Sequence, residues 1–65
     1  AVPIRNAILS DPTKSSVLRA RIVEDLIGRR VDEATLDIVG SLSKSDDEVL
    51  SAISRNLLSE ASSLN

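Results

Sequence analysis

The sequence predicts an all-α protein: a small bundle of three main helices preceded by a short N-terminal helical segment. Three observations lead to this prediction. Apolar residues recur at spacings of three and four along most of the 65 residues. Capping residues divide the chain into segments of helix length, and no stretch alternates apolar and polar residues long enough for a strand. We expect residues 1–65 to form a single helical domain or a fragment of a larger helical bundle.

The N-terminal segment, residues 3–9, is expected to form one or two helical turns. Asp11 then precedes Pro12, which is typical of a helix start, because the carboxylate can cap the helix and a proline at the first position sacrifices no hydrogen bond. We expect the first main helix to begin there and to end at Gly28, which can supply a left-handed C-cap. Its apolar stripe consists of Val17, Leu18, Ile22, Val23, Leu26 and Ile27.

The second main helix has Asp32 as its candidate N-cap. Its apolar residues are Leu36, Ile38, Val39 and Leu42. These residues cover more than one face, so part of the helix is expected to contact something outside its own bundle. Gly40 lies inside this helix, where glycine often marks the close approach of another backbone.

The third main helix has the clearest start signal. Ser45 followed by Glu48 three residues later forms a capping box, with acidic residues in the first turn. The apolar stripe that follows is Leu50, Ile53, Leu57, Ala61 and Leu64. We expect the remaining surface of the helix to carry its serines, namely Ser51, Ser54, Ser59, Ser62 and Ser63.

The composition argues against catalysis, cofactors and nucleic acid. Without His, Cys or Tyr, a general base or nucleophile would have to be Asp, Glu, Lys or Ser. The acidic run Asp46, Asp47 and Glu48 fits helix capping better than a metal or acid–base site. A net charge of −2 and the lack of aromatic residues disfavour a nucleic-acid partner. We therefore predict a protein with no catalytic residues, no metal and no cofactor.

The apolar residues are all small or aliphatic, because the chain lacks Phe, Tyr, Trp and Met. A core of this kind in 65 residues is marginal on its own. We therefore expect help from another chain, either a protein partner or a second copy. Direct insertion into a membrane is not expected, because the apolar runs are too short to span one.

Ala1-Val2-Pro3-Ile4 resembles the tetrapeptide by which mitochondrial pro-apoptotic factors bind inhibitor-of-apoptosis proteins. The resemblance implies that the ammonium and methyl groups of Ala1 enter an acidic pocket and that Val2 adds a strand to a sheet edge. Pro3 would preset the extended backbone, and Ile4 would fill an apolar depression. The alternative function is therefore a helical carrier of this N-terminal ligand.

A second resemblance covers most of the chain and rests on the order of several short segments. These segments are Ala7 to Leu9, Asp11-Pro12, Arg21-Ile22-Val23, Leu26-Ile27-Gly28, Arg30-Val31 and Thr35-Leu36. In this order they resemble the amino-terminal domain of the δ subunit of bacterial ATP synthase, a relative of the mitochondrial oligomycin-sensitivity subunit. The family's first two helices and its carboxy-terminal domain have no counterpart among these residues.

The δ-subunit resemblance implies a stator domain that has no chemistry of its own. In that family the first and fifth helices of a six-helix bundle form a groove for an amphipathic N-terminal helix of an α subunit. The fifth helix corresponds here to residues 32–43, so the partner-binding residues are expected to be Leu36, Val39 and Leu42. The implied location is cytoplasmic, or peripheral at the membrane as part of a complex.

Overall fold

The computed structural model describes residues 4–64, with side chains through residue 61. It contains four helices: α1 (Ile4–Leu9), α2 (Ser16–Leu26), α3 (Glu33–Leu42) and α4 (Glu48–Leu64). This part of the chain contains no strand. The predicted all-α class, with three main helices after a short first one, is therefore confirmed.

α4 is central to the packing because it lies against both α2 and α3. α1 also packs against α2 and α3. Each of the four helices contributes at least one fully buried side chain to the core, namely Leu9, Val23, Val39 and Leu50. The remaining core residues are Ala20, Leu26, Leu42 and Leu57. The buried apolar residues are thus Leu, Val and Ala, and half-buried isoleucines pack against them.

The start of α2 differs from the sequence prediction. The helix begins at Ser16, because the hydroxyl oxygen of Ser15 accepts hydrogen bonds from the backbone N–H groups of Val17 and Leu18, at 3.1 and 3.4 Å. The carboxylate of Asp11 accepts instead from the N–H and hydroxyl of Thr13, at 2.9 and 2.6 Å. Such a local turn competes with helix initiation, so the prediction of a start at Asp11-Pro12 was wrong.

The end of α2 agrees with the prediction. Ile27 is the C-cap residue, and Gly28 follows with a φ of 85°. A side chain rarely adopts this left-handed conformation, whereas glycine does so without a steric penalty. Gly28 therefore turns the chain from α2 toward α3.

The start of α4 is shifted by two residues from the predicted N-cap at Ser45. The carboxylate of Asp47 accepts from the backbone N–H of Leu50 at 2.9 Å, and the carbonyl of Asp47 accepts from the N–H of Ser51 at 2.9 Å. Asp47 is therefore the residue that caps α4. The hydroxyl oxygen of Ser45 accepts from the N–H of Asp47 and orders the approach to the helix.

Two serines of α4 lie inside the fold, against our expectation that they would be on its surface. Ser51 is 6% exposed and Ser54 is 0% exposed. Because α4 packs against two helices, it buries more than one apolar stripe, and small side chains occupy the additional contact area. The prediction of a solvated serine face was wrong at these two positions.

A polar network fastens α1 to the start of α3. The hydroxyl of Thr35, which is fully buried, donates to the carboxylate of Asp32 and accepts from Arg5 Nη2 at 3.1 Å and Asn6 Nδ2 at 3.0 Å. One proton and two lone pairs are all that a hydroxyl offers. Arg5 Nε also donates to Asn6 Oδ1 at 3.3 Å, and Arg5 Nη2 lies 3.9 Å from Asp32 Oδ1.

Gly40 is not a point of close approach, contrary to the prediction from the sequence. A Cβ built at this position finds no heavy atom of a neighbouring element within 4 Å. We therefore expect Gly40→Ala to raise the free energy of unfolding by about 0.5–1 kcal/mol, because alanine restricts the unfolded chain and favours the helix. Urea unfolding followed by circular dichroism measures this change.

Gly28→Ala is the matched control for that substitution. It places the same methyl group on a backbone with a φ of 85°, where we expect a loss of stability. A destabilising Gly40→Ala would show that the α3 backbone has no room for a side chain and would contradict the prediction.

Candidate docking groove

A mainly apolar concavity lies between α2 and the N-terminal half of α4. Its volume is about 210 Å³. We call it the α2–α4 groove, and it is lined by Ser16, Val17, Ala20, Arg21, Glu24, Asp47, Val49 and Ile53. Its position follows directly from where the two helices begin.

A hydrogen bond between the first residue of α2 and the cap residue of α4 joins these helix starts. The hydroxyl of Ser16 donates to Asp47 Oδ2 at 2.9 Å, while Asp47 Oδ1 accepts from Leu50. The backbone N–H of Leu50, followed by the hydroxyl of Ser16, lowers the pKa of Asp47 below its ordinary value. Asp47 therefore remains a carboxylate at neutral pH and marks one end of the groove with a negative charge.

Two valines form the rim of the groove. Val17 on α2 is 67% exposed and Val49 on α4 is 69% exposed. Between them lie Ala20, which is buried, and Ile53, which is half-buried. Apolar surface thus continues from the core outward to two opposed side chains that residues 4–61 leave largely exposed.

The groove also carries charges that are not used inside the fold. Arg21 and Glu24 lie one turn apart on α2, and neither has an ion-pair partner within 4.0 Å among residues 4–61. Both ion pairs seen in that range lie elsewhere, between Arg5 and Asp32 and between Arg29 and Asp25. The charges of Arg21 and Glu24 are therefore available to a partner.

A second concavity of about 440 Å³ lies where α1 and α3 end. It is lined by Leu9, Ser10, Pro12, Arg19, Ile38, Ser41, Leu42 and Ser45. The Nε atom of Arg19 has no hydrogen-bond partner, but it is also closed to solvent. A molecule in this cavity could not hydrogen-bond to that atom unless the surrounding side chains moved. We therefore favour the α2–α4 groove as the candidate site.

The partner-binding residues predicted from the δ-subunit resemblance lie in different environments. Val39 is fully buried and Leu42 is 8% exposed, and both belong to the core. Leu36 is half-buried and lies outside the core cluster. Leu36 is the most exposed of the three, and Leu42 also borders the second concavity. Val39 and Leu42 serve the bundle itself, because α3 presents them toward the other helices.

The alternative N-terminal ligand falls mostly outside the described residues. Ala1, Val2 and Pro3 precede the first of them. Ile4 opens α1 and is 81% exposed. The structure therefore places only the last position of the tetrapeptide.

The described part of the chain contains no group of three or more His, Cys, Asp or Glu that could hold a metal ion. None of its helices combines the length and the apolar character that crossing a membrane requires. The best-connected polar cluster, around Thr35, has its hydroxyl fully hydrogen-bonded and closed to solvent. This cluster fastens two helices and offers no accessible nucleophile.

The sequence analysis did not identify the α2–α4 groove, because it placed Val17 and Leu18 in one apolar stripe with the other apolar residues of the first main helix. In the structure Val17 and Leu18 are 67% and 43% exposed, whereas Val23 and Leu26 of the same stripe are buried. A signal was present in the adjacent pair Val49-Leu50. Neighbouring residues on a helix point about 100° apart, so when Leu50 faces the core, Val49 does not.

Comparison with protein-family models, with curated proteins and with solved structures finds no match to this chain.

Proposed function

We propose that this chain is a non-enzymatic helical module that binds protein through the α2–α4 groove. The observation that carries the proposal is the pair of exposed valines, Val17 and Val49, on opposite sides of one concave apolar surface. Single exposed aliphatic residues are common on proteins, but opposed ones flanking a groove are typical of an interaction site. Their burial by a partner would remove apolar surface from water without any change in the fold.

A helix is the partner segment that fits this surface best. The groove lies between two helices, and an amphipathic helix can lay its apolar side chains into a groove of this kind. The unpaired charges of Arg21 and Glu24 on the rim would select the orientation of the docked segment.

The δ-subunit resemblance supplies a second form of the proposal, with a different binding site. In that form, the chain is a stator domain at the membrane-bound ATP synthase, and the partner is an α-subunit helix that contacts α3 at Leu36. The half-buried position of Leu36 outside the core supports a contact there.

Site-specific photo-crosslinking in native cells tests the proposal. A benzophenone amino acid replaces Val17 in the full chain, and Ala34, an exposed residue on α3, provides the control position. We expect protein adducts from position 17 and none from position 34. Adding Val49→Asp should abolish the adducts, because it places a charge across the groove from the probe.

Equal adducts from positions 17 and 34, or adducts that persist with Val49→Asp, would contradict docking in the groove. A benzophenone at Leu36 tests this second form in the same experiment. Adducts at position 36 but none at position 17 would place the partner on α3 and would favour the stator assignment over the α2–α4 groove.

A further inference from the structure

We propose that the partner in the α2–α4 groove is a second copy of this chain, bound about a twofold axis that passes between Val17 and Val49. This inference rests on the proposed function, because it names the occupant of the same groove. It follows from how apolar and charged residues are ordered along the groove.

The charges of the groove are arranged so that the surface complements itself. Arg21 lies four residues after Val17, which is one helical turn or about 6 Å along α2. Asp47 lies on the other side of the valines, at the cap of α4, where Ser16 holds it beside the start of α2. The order along the groove is therefore Asp47, the two valines, Arg21 and, one turn further along α2, Glu24.

A twofold axis through the valines exchanges the two ends. It brings Arg21 of each copy to Asp47 of the other, so a single symmetric contact forms two ion pairs. The valines of both copies then meet at the axis. An interface between identical chains requires a patch of this self-complementary kind, whereas a groove of one charge sign would repel its own copy.

Both charged groups are available for this contact. Arg21 has no ion-pair partner within 4.0 Å among residues 4–61. Each oxygen of Asp47 accepts one hydrogen bond inside the fold, and a carboxylate can accept about four in total. The second copy therefore adds bonds to Asp47 without breaking the cap of α4.

The composition of the chain also favours a second copy. The core contains no aromatic side chain, and small domains with limited cores commonly gain stability by oligomerisation. Pairing of the valines supplies additional apolar burial.

Sedimentation velocity over a range of concentrations tests this proposal. We expect the purified wild-type chain to show a monomer–dimer equilibrium, and Val17→Asp or Val49→Asp to abolish the dimer. Each valine is the second residue of its helix, where an aspartate interacts favourably with the helix dipole. The circular dichroism of both variants should therefore match that of the wild type. Ala34→Asp makes the same charge change on exposed α3 and should leave the dimer intact.

The ion pairs are tested by two substitutions with equal effects on net charge. Arg21→Glu should raise the dimer dissociation constant at least about tenfold, because it creates two repulsive contacts per dimer. Arg30→Glu, at an exposed position in the turn before α3, should have no effect. Arg21→Lys should retain dimerisation.

Two outcomes would overturn the inference. One is a wild-type chain that remains monomeric up to millimolar concentration, and the other is a dimer that persists in Val17→Asp and Val49→Asp. The proposed function is tested separately. If a benzophenone at position 17 crosslinks only to a different protein, docking in the groove is supported and the second copy is excluded as its occupant.

Discussion

Thr35→Val is expected to lower the free energy of unfolding by about 2–3 kcal/mol, although valine has nearly the same shape as threonine. The substitution removes the hydroxyl that joins Asp32, Arg5 and Asn6. The largest part of this loss comes from the Asn6 amide, because Asn6 is only 3% exposed and cannot form a replacement hydrogen bond with water. A buried polar group that loses its partner retains the full cost of desolvation.

Thr35→Ser is the matched control for this effect. It keeps the hydroxyl and removes only a methyl group, so we expect a loss of about 1 kcal/mol. Urea unfolding of both variants measures the difference. If Thr35→Val were as stable as the wild type, the network would not contribute to holding α1, and burial of Leu9 would be the main attachment of that helix.

Ser54→Ala is expected to raise the free energy of unfolding by about 1–2 kcal/mol. Ser54 is fully buried in α4, and its hydroxyl oxygen has no hydrogen-bond partner. The alanine side chain lacks only this one atom, so the substitution removes an unsatisfied polar group and leaves almost no void. Alanine also favours the helix more than serine does.

Ser51→Ala distinguishes this effect from helix propensity alone. Ser51 is also buried on α4, but its hydroxyl donates to the carbonyl of Glu48 at 3.2 Å and accepts from Arg55 at 3.5 Å. We therefore expect a smaller gain for Ser51→Ala than for Ser54→Ala, or a loss. Thermal unfolding by circular dichroism gives both values. Equal gains at the two positions would show that the hydroxyl of Ser54 carries no penalty.

Most of the fold could be predicted from the sequence because each helix has its own periodic apolar residues. The C-cap at Gly28 was also predictable, since few residues other than glycine adopt its backbone conformation. Helix starts were harder. Asp11 and Ser15 are both good N-cap residues, and only the hydrogen bonds of Asp11 to Thr13 decide between them.

The candidate site could be predicted only in general terms. The composition indicates that the chain buries apolar surface against another chain. The sequence prediction placed that surface on α3. Burial of Val39 and Leu42 depends on how α3 packs against α4, and a single periodic pattern does not specify its neighbours. The α2–α4 groove likewise depends on Ser16 meeting Asp47, two residues that are 31 positions apart.

The attachment of α1 has one more consequence, for the response of the protein to its solvent. The polar network between α1 and α3 extends from the surface to the interior. The side chains of Arg5 and Asp32 are 41% and 63% exposed, whereas Thr35 is fully buried. Dissolved ions can weaken the attraction of the outer two residues but cannot enter between Asn6 and Thr35. Concentrated salt should therefore loosen this junction from the outside only, with its inner bonds still in place.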